Sequence, residues 1–127
     1  MTFDWVEFLR VAEDLYGAAA TEASARREAL LRIAVSRAYY AAFSLARNRL
    51  RDIDGVKVPL RGNAHLVVAH RFEEGVGIER QDIGARLQRL RVDRNRCDYD
   101  DEVDDLADIA AQSLRRAVAV VDALARL

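Results

Sequence analysis

The 127-residue sequence contains one cysteine, one proline and six glycines, and each scarcity excludes a class of protein. The single cysteine, Cys97, excludes an internal disulfide framework and a metal site built from several thiolates, and it fits a reducing cytosol. With Pro59 as the one proline and few β-branched runs, little interrupts helices or favours strands. No stretch approaches the roughly 20 apolar residues of a membrane helix. We therefore expect an all-α, cytoplasmic protein with no membrane contact.

Patterns typical of cofactor and metal sites are also missing. There is no Gly-rich phosphate loop, no pair of Glu-x-x-His units and no Cys/His metal spacing. His65 and His70 are five residues apart, which on a helix separates them by well over 100°, so they are a poor chelating pair. Cys97 has no histidine near it in sequence to act as a base. The acidic run from Asp98 to Asp108 lacks the spacing of a calcium loop, and we expect no metal and no cofactor.

What is present is a chain that is half apolar, one-third charged and almost neutral overall. The apolar fraction is 51%, the charged fraction 32% and the formal net charge −1, which indicates one globular domain over residues 1–127. The two signs of charge are segregated along the chain. Between residues 26 and 51 there is one acid, Glu28, and there are seven arginines: Arg26, Arg27, Arg32, Arg37, Arg47, Arg49 and Arg51. The later acidic run contains no base: Asp98, Asp100, Asp101, Glu102, Asp104, Asp105 and Asp108. Such asymmetry can place a basic groove beside an acidic rim.

Apolar periodicity predicts an antiparallel bundle of four or five helices. Thr2 or Asp4 caps a first helix that Gly17 ends, and Thr21 begins the longest helix, which runs to about Leu50. After the main loop, residues 52–62, Asn63 caps a shorter helix. A second loop over residues 75–81 precedes a helix starting at Asp82, and Asp100 or Asp101 caps the last one. That last helix carries a heptad seam: Val103, Ala107, Ala110, Leu114, Ala117, Val121 and Leu124.

The longest helix is apolar over much of its circumference, which is typical of the central helix of a bundle. One seam consists of Leu31, Val35, Ala38, Ala42 and Leu45, and a second of Tyr39, Phe43, Ala46 and Leu50. A third line begins apolar and turns polar: Ile33, Arg37, Tyr40, Ser44 and Arg47. We predict that this third line faces the functional cleft. In the alternative interpretation Arg37 merely pairs with a helix carboxylate and Tyr40 belongs to the core.

The stretch Leu90–Asp101 has the densest chemistry in the chain, with three arginines, four aspartates and a tyrosine at a junction between helices. The apolar stripe Ile83, Leu87 and Leu90 continues with helical spacing to Arg94. Arginine is seldom buried unless it is paired. Arg94 should therefore either meet a carboxylate inside the fold or line a cleft used for binding.

Two segments together resemble the HEPN superfamily, in particular its small stand-alone bacterial and archaeal members. They are Ser36-Arg37-Ala38-Tyr39-Tyr40-Ala41-Ala42-Phe43 in the long helix and Leu90-Arg91-Val92-Asp93-Arg94-Asn95-Arg96-Cys97-Asp98-Tyr99-Asp100 before the last one. The likeness covers nearly the whole chain. It implies a HEPN-like helical domain that forms a homodimer, often as a toxin paired with a minimal nucleotidyltransferase antitoxin. Catalytic members are metal-independent endoribonucleases in which two motif copies face each other across the dimer.

Carried over by residue, the resemblance assigns Arg94 and Asn95 to the Arg-Asn start of the catalytic motif. Tyr99 stands where the family has a histidine. Cleavage needs a base for the 2′-hydroxyl, an acid for the leaving oxygen and a cation at phosphorus, and Arg94 suits the last role. Tyrosine, with an ordinary pKa near 10, is a poor base, so any cleavage should be slower than in a histidine-bearing relative. Candidate binding residues are Arg37, Tyr40, Ser44, Arg47 and Asp98.

Three functional hypotheses remain open at this point. The first is a HEPN-family protein of toxin–antitoxin or RNA-directed defence type that binds or cleaves RNA at a dimer cleft. The second is a non-catalytic HEPN-like module that binds a nucleotide or a nucleotidyltransferase partner at the same cleft. The third makes Arg94 a structural ion-pair partner of Asp98 or Asp100 in a bundle without a ligand.

Overall fold

The computed structural model describes residues 2–127, and it shows an all-α arrangement of five helices with no strand among these residues. The helices are α1 (Val6–Ala19), α2 (Ser24–Asp52), α3 (Ala64–Glu73), α4 (Ile78–Tyr99) and α5 (Leu106–Arg126). The predicted all-α class and helix number are therefore confirmed. No helix in residues 2–127 combines the length and apolar character needed to cross a membrane.

Helix α2 is the centre of the bundle, as its apolar circumference predicts. It packs against all four other helices. Both predicted seams face inward: Val35, Ala38 and Ala42 on one, and Tyr39, Ala46 and Leu50 on the other, are almost completely buried. The burial of two seams agrees with the apolar character that covers much of the circumference of this helix.

Contacts between helix ends fix the directions of the bundle. Arg47 near the end of α2 lies over Trp5 before α1, so α1 and α2 are antiparallel. Arg32 near the start of α2 reaches the end of α4, and Arg126 at the end of α5 pairs with Glu79 at the start of α4. Each of these pairs is antiparallel, and consequently α2 and α5 run in the same direction.

The predicted boundary between α1 and α2 is wrong at both residues. Gly17 does not end α1, which continues to Ala19, because Ala19 is buried against the cluster around Leu31 and offsets the roughly 1 kcal/mol that a helical glycine costs. Thr21 does not begin α2, because its hydroxyl donates to Ala18 O of α1 (3.2 Å). Helix α2 starts at Ser24 and runs to Asp52, two residues beyond the predicted end.

The ends of α4 and the start of α5 also differ from the prediction. Helix α4 begins at Ile78, one turn before Asp82, directly after Gly77, whose φ of 98° favours glycine. Asp100 and Asp101 do not cap α5, because α5 begins only at Leu106, beyond the reach of a capping side chain. Their backbone carbonyls accept hydrogen bonds from Arg32. The residue before α5 is Asp105, in the left-handed conformation (φ 56°).

The inward face of α5 is one position away from the predicted heptad seam. Of that seam only Ala110 and Ala117 are fully buried, whereas Val103, Leu114, Val121 and Leu124 are half-buried. The most buried line consists of Leu106, Ala110, Ser113, Ala117, Val120 and Ala123. Small residues on this line bring α5 close to its neighbours, so the close approach predicted for this helix is used inside the bundle.

Candidate functional site

Hydrogen bonds from Arg32 connect the junction Leu90–Asp101 to α2. Its Nη1 donates to Cys97 O (3.0 Å) and Asp100 O (2.6 Å), and its Nη2 donates to Asp101 O (3.1 Å). These carbonyls belong to the end of α4 and the residues just after it, where intrahelical donors run out. Arg32 thus acts as a C-terminal cap supplied by another helix, and it fixes the segment that carries Arg94 and Tyr99.

Asp93, and not Arg94, is the fully buried residue on the apolar stripe of α4. Its side chain is 1% exposed and lies among three guanidinium groups, of Arg89 (3.4 Å), Arg116 (3.6 Å) and Arg96 (4.0 Å). Neither carboxylate oxygen accepts a well-aligned hydrogen bond within residues 2–127. Because Arg116 belongs to α5, this cluster joins α4 to α5. The sequence predicted that the apolar stripe continues to Arg94. The structure shows that it continues to Asp93, one residue earlier.

Arg94 points to the α2 side, where it meets aromatic rings and one carboxylate. Its side chain is 15% exposed, Nε lies 2.8 Å from Asp98 Oδ2, and Nη1 donates to Asn95 Oδ1 (2.8 Å). The Nε–H does not point at the Asp98 oxygen, so this contact is an ion pair without a good hydrogen bond. The guanidinium carbon is 5.1 Å from the centre of the Tyr40 ring and 5.6 Å from that of Tyr99.

Tyr99 lies at the rim of this cluster, with 73% of its surface exposed. The structure therefore brings together Arg94, Asn95, Asp98, Tyr99 and Tyr40, five of the eight predicted site residues. Asp98 is the partner that the ion-pair hypothesis names for Arg94. That pair lies within one helix, four residues apart, whereas the contact with Tyr40 joins α4 to α2.

Arg37 approaches the same tyrosine from α2. Its guanidinium carbon is 5.2 Å from the Tyr40 ring centre and 4.9 Å from that of Phe8, and Nη2 donates to Ser36 Oγ (3.1 Å). Among residues 2–127 no carboxylate oxygen lies within 4.0 Å of this guanidinium. The alternative in which Arg37 pairs with a helix carboxylate is therefore wrong. Tyr40 is half-buried and packs against the core, and the guanidinium groups of Arg37 and Arg94 both lie over its ring.

Ser44 and Arg47 continue the same line but leave the Arg94 cluster. They line a separate pocket of about 330 Å³ between Trp5, α2, the loop after α2 and the start of α3. Neither Arg37 nor Arg94 contributes to its wall. Tyr40 borders both regions. The predicted polar line on α2 therefore serves two adjoining sites.

His65 is a functional candidate that sequence reasoning missed. Its Nδ1 is hydrogen-bonded to the hydroxyl of Tyr39, and its ring centre is 4.5 Å from that of Phe43. Burial, and then the charges of Arg91 and Arg94, lower the pKa of His65, so the neutral imidazole is favoured. Burial also raises the pKa of Tyr39 above its usual value. The sequence offered no signal for this pairing beyond a histidine on the first turn of a helix.

Cys97 and His70 do not contribute a reactive group to the cluster. Burial raises the pKa of the Cys97 thiol to about 11, which keeps it protonated at neutral pH. His70 points outward and pairs with Glu74 at 2.6 Å. Within residues 2–127, no three His, Cys, Asp or Glu side chains converge as a metal-ion site would require.

Comparison of the chain with protein-family models, with curated proteins and with solved structures finds no match in any of the three.

Proposed function

We propose that this chain is a HEPN-type protein of toxin–antitoxin or RNA-directed defence systems that binds RNA on the surface around Tyr40, with Arg94 and Arg37 contacting phosphates. One observation carries the proposal: Arg37 is a half-buried cation held over two aromatic rings with no carboxylate within 4.0 Å in residues 2–127. Partial burial of a guanidinium is costly unless an anion compensates it. A phosphate would supply that anion.

The neighbouring groups fit the same ligand. The planar fork of Arg94 is suited to phosphate oxygens, and part of it remains free after its contacts with Asp98 and Asn95. Exposed Tyr99 offers a ring on which an unpaired base can stack. Single-stranded RNA is therefore a better match than a duplex, whose bases are not accessible.

Cleavage is the catalytic extension of this proposal. Arg94 would stabilise charge at phosphorus, Asn95 would position the phosphate, and Tyr99 would donate a hydrogen bond or orient water, as the resemblance to HEPN nucleases implies. In that family the cleft forms between two copies of the chain. Exposed Ile33 and Val92 (48% and 50%) lie on helices that carry the cluster and supply apolar area for such a homodimer.

The test is binding and cleavage of a labelled mixed single-stranded RNA in excess chelator. We compare the wild-type protein with Arg94→Gln and Arg37→Gln, and we use Arg115→Gln, an exposed arginine of α5, as the charge-matched control. Each site variant should bind at least about tenfold more weakly than the control, which corresponds to about 1.4 kcal/mol. Equal affinity of both site variants and the control would refute RNA binding at this surface.

A second candidate function is a non-catalytic module that binds a nucleotide or a nucleotidyltransferase partner at the same cluster. It is favoured by Tyr99 in the place of the family's histidine and by the ion pair that already counters the charge of Arg94. Tyr99→His separates the two functions. A gain of chelator-resistant cleavage supports an RNA cleft that lacks its base, and no gain favours the module.

The dimeric form of the proposal has its own test. Light scattering at micromolar concentration should give the mass of two chains. A monomer would contradict a cleft composed of two copies while leaving RNA binding by one copy to be judged from the variants above.

A further inference from the structure

We propose that His65 is the general base of RNA cleavage at this surface and takes the proton of the 2′-hydroxyl beside the phosphate that Arg94 contacts. Tyr39 is the residue that positions the imidazole. The inference rests on the proposed function and deepens it, because it assigns a catalytic group from outside the segment that carries Arg94 and Tyr99. Since Tyr99 stands where the resembling family has its histidine, a base has to come from another part of the chain.

The fold brings His65 to the Arg94 cluster from a third helix. His65 lies on the first turn of α3, which packs against both α2 and α4. Its ring centre is 6.1 Å from that of Tyr40, and the guanidinium carbon of Arg94 is 5.1 Å from the centre of the same ring. The imidazole and the guanidinium therefore contact one tyrosine from two different helices. An RNA strand that crosses Tyr40 would present its phosphate to Arg94 and its ribose to His65.

Tyr39 orients the imidazole. Its hydroxyl is hydrogen-bonded to Nδ1 of His65, and its own side chain is only 1% exposed, so this contact is fixed by the core. Burial raises the pKa of Tyr39 above its usual value, which keeps the hydroxyl neutral. When Nδ1–H donates to this oxygen, the lone pair of the neutral imidazole lies on Nε2. A base held by a third group in this way is typical of catalytic pairs.

The other ring nitrogen of His65 is accessible. Nε2 makes no hydrogen bond within residues 2–127, yet it is not one of the buried unpaired atoms of this part of the chain. His65 lines the pocket of about 330 Å³ that Tyr40 borders. A general base has to come within hydrogen-bond distance of the proton that it takes, and Nε2 meets this requirement from the pocket side.

The charges around His65 favour the neutral form that a base needs. Burial lowers its pKa, and the charges of Arg91 and Arg94 from α4 lower it further. No carboxylate oxygen lies within 4.0 Å of the imidazole among residues 2–127, so none there holds a proton on the ring. The other titratable or charged groups around it come from α2 and the loop that follows: Tyr39, Tyr40, Arg47, Arg51 and Arg61.

Arg91 supplies a second cation beside the imidazole. It lies three residues before Arg94, on the same face of α4, and has no carboxylate oxygen within 4.0 Å in the described part of the chain. Its charge also acts on Tyr39, which shows that it lies on the side of α4 that faces the Tyr39–His65 pair. Two guanidinium groups can stabilise both non-bridging oxygens of one phosphate as negative charge develops on them.

The chemical step is an internal transesterification. The 2′-oxygen attacks the adjacent phosphorus while Nε2 of His65 takes its proton, so that the O2′–P bond forms and the P–O5′ bond breaks. The departing 5′-oxygen takes a proton from water, and the hydroxide left behind takes the proton from the imidazolium. The products are a 2′,3′-cyclic phosphate and a 5′-hydroxyl, and the step needs no oxidant or reductant.

The test compares the two histidines of the chain. We measure cleavage of a labelled mixed single-stranded RNA in excess chelator by the wild-type protein, by His65→Gln and by His70→Gln, which changes an exposed histidine paired with Glu74. Loss of a general base should slow cleavage at least about a hundredfold in His65→Gln, whereas His70→Gln should stay within twofold of the wild type. Affinity for the same RNA with 2′-O-methyl groups, which cannot be cleaved, should change less than twofold in either variant.

A pH profile separates chemistry from a structural role. The wild-type rate at saturating protein should fall as the pH decreases through the lowered pKa of His65, because only the neutral imidazole accepts a proton. His65→Gln should lack this fall. Added imidazole should raise the rate of His65→Ala at least tenfold. Tyr39→Phe, which keeps the buried ring, should slow cleavage at least tenfold at unchanged affinity, and it keeps the test decisive if the His65 variants fail to fold.

The inference and the proposed function fail in different ways. Equal cleavage by the wild type and His65→Gln, or a wild-type protein that binds RNA without cleaving it, overturns the role of His65 and leaves RNA binding at the Arg94 surface intact. A loss of affinity in His65→Gln as large as that in Arg94→Gln makes His65 a binding residue and also overturns its role as a base. No RNA binding by the wild-type protein overturns both.

Discussion

Asp93 and Arg94 are consecutive residues of α4, yet the fold treats their charges in opposite ways. Asp93 is 1% exposed and has three arginines within 4.0 Å, one of them from α5. Arg94 points about 100° around the helix from Asp93, against two tyrosines and a single carboxylate of its own helix. The first charge is surrounded by protein counter-charges, which is what a structural contact between helices needs. The guanidinium of Arg94 lies over two tyrosine rings and has an edge that no carboxylate occupies, which is what binding of a phosphate needs.

The largest expected effect concerns the stability of the Asp93 side. Asp93→Asn removes the one negative charge among three arginines and should lower the free energy of unfolding by about 2–3 kcal/mol. Asp98→Asn, which breaks a half-exposed pair within one helix, should cost at most about 1 kcal/mol. Urea denaturation followed by circular dichroism measures both. An equal or larger cost for Asp98→Asn would make the Arg94 side the structural one and reverse the comparison.

A second pair of variants compares the loss of one arginine near Tyr40 with the loss of one arginine near Asp93. Arg37→Gln should weaken RNA binding about tenfold or more, equivalent to about 1.4 kcal/mol, with little change in stability because no carboxylate loses its partner. Arg116→Gln should leave RNA affinity within twofold and lower stability, since Asp93 loses the ion pair that joins it to α5. Filter binding and urea denaturation on the same preparations give both quantities. Loss of RNA affinity in Arg116→Gln alone would contradict the assignment.

The smallest expected effect is a change in titration behaviour at His65. Burial and the charges of Arg91 and Arg94 lower the pKa of this imidazole. Arg94→Gln should therefore raise the pKa of His65 towards its usual value near 6.5, measured by NMR of the ring carbons. Asp93→Asn should leave it unchanged, because Asp93 is not among the groups that shift the pKa of His65. An unchanged His65 titration in Arg94→Gln would show that the two groups do not interact.

The same shift has a consequence for stability. In the window between the lowered pKa and about 6.5, the unfolded chain binds a proton at His65 that the folded protein does not. The free energy of unfolding contributed by neutral His65 is complete above this window and decreases as the pH falls through it. His65→Gln should reduce that part of the pH dependence in denaturation curves recorded across the window.

Periodicity predicted the helical class, the central position of α2 and both of its buried seams, because those features depend on apolar spacing alone. The ends of helices depended on distant partners. Asp100 and Asp101 are typical capping residues, yet α5 begins only at Leu106. Their backbone carbonyls instead accept hydrogen bonds from Arg32, more than 65 positions earlier in the chain. Helix α1 extends past Gly17 because tertiary burial of Ala19 outweighs local propensity.

The sequence identified the part of the site that lies within one helix. Arg94, Asn95, Asp98 and Tyr99 are neighbours by helical spacing, so their meeting follows from local geometry. Contacts between helices were harder to predict. The approach of His65 to Tyr39 and the burial of Asp93 depend on how α3 and α5 pack, and apolar spacing cannot distinguish adjacent positions at the edge of a stripe. For the same reason one predicted polar line proved to border two regions.

The most direct test of the account is amide chemical-shift mapping during titration with a short single-stranded RNA in excess chelator. The proposal predicts that the shifts concentrate on residues 36–40 and 94–99, with Arg37, Tyr40 and Tyr99 among the most affected, and that residues 108–120 of α5 remain unchanged. Shifts confined to the Asp93 side and α5, or no saturable shifts at all, would contradict the claim that the arginines around Tyr40 form the RNA-binding surface.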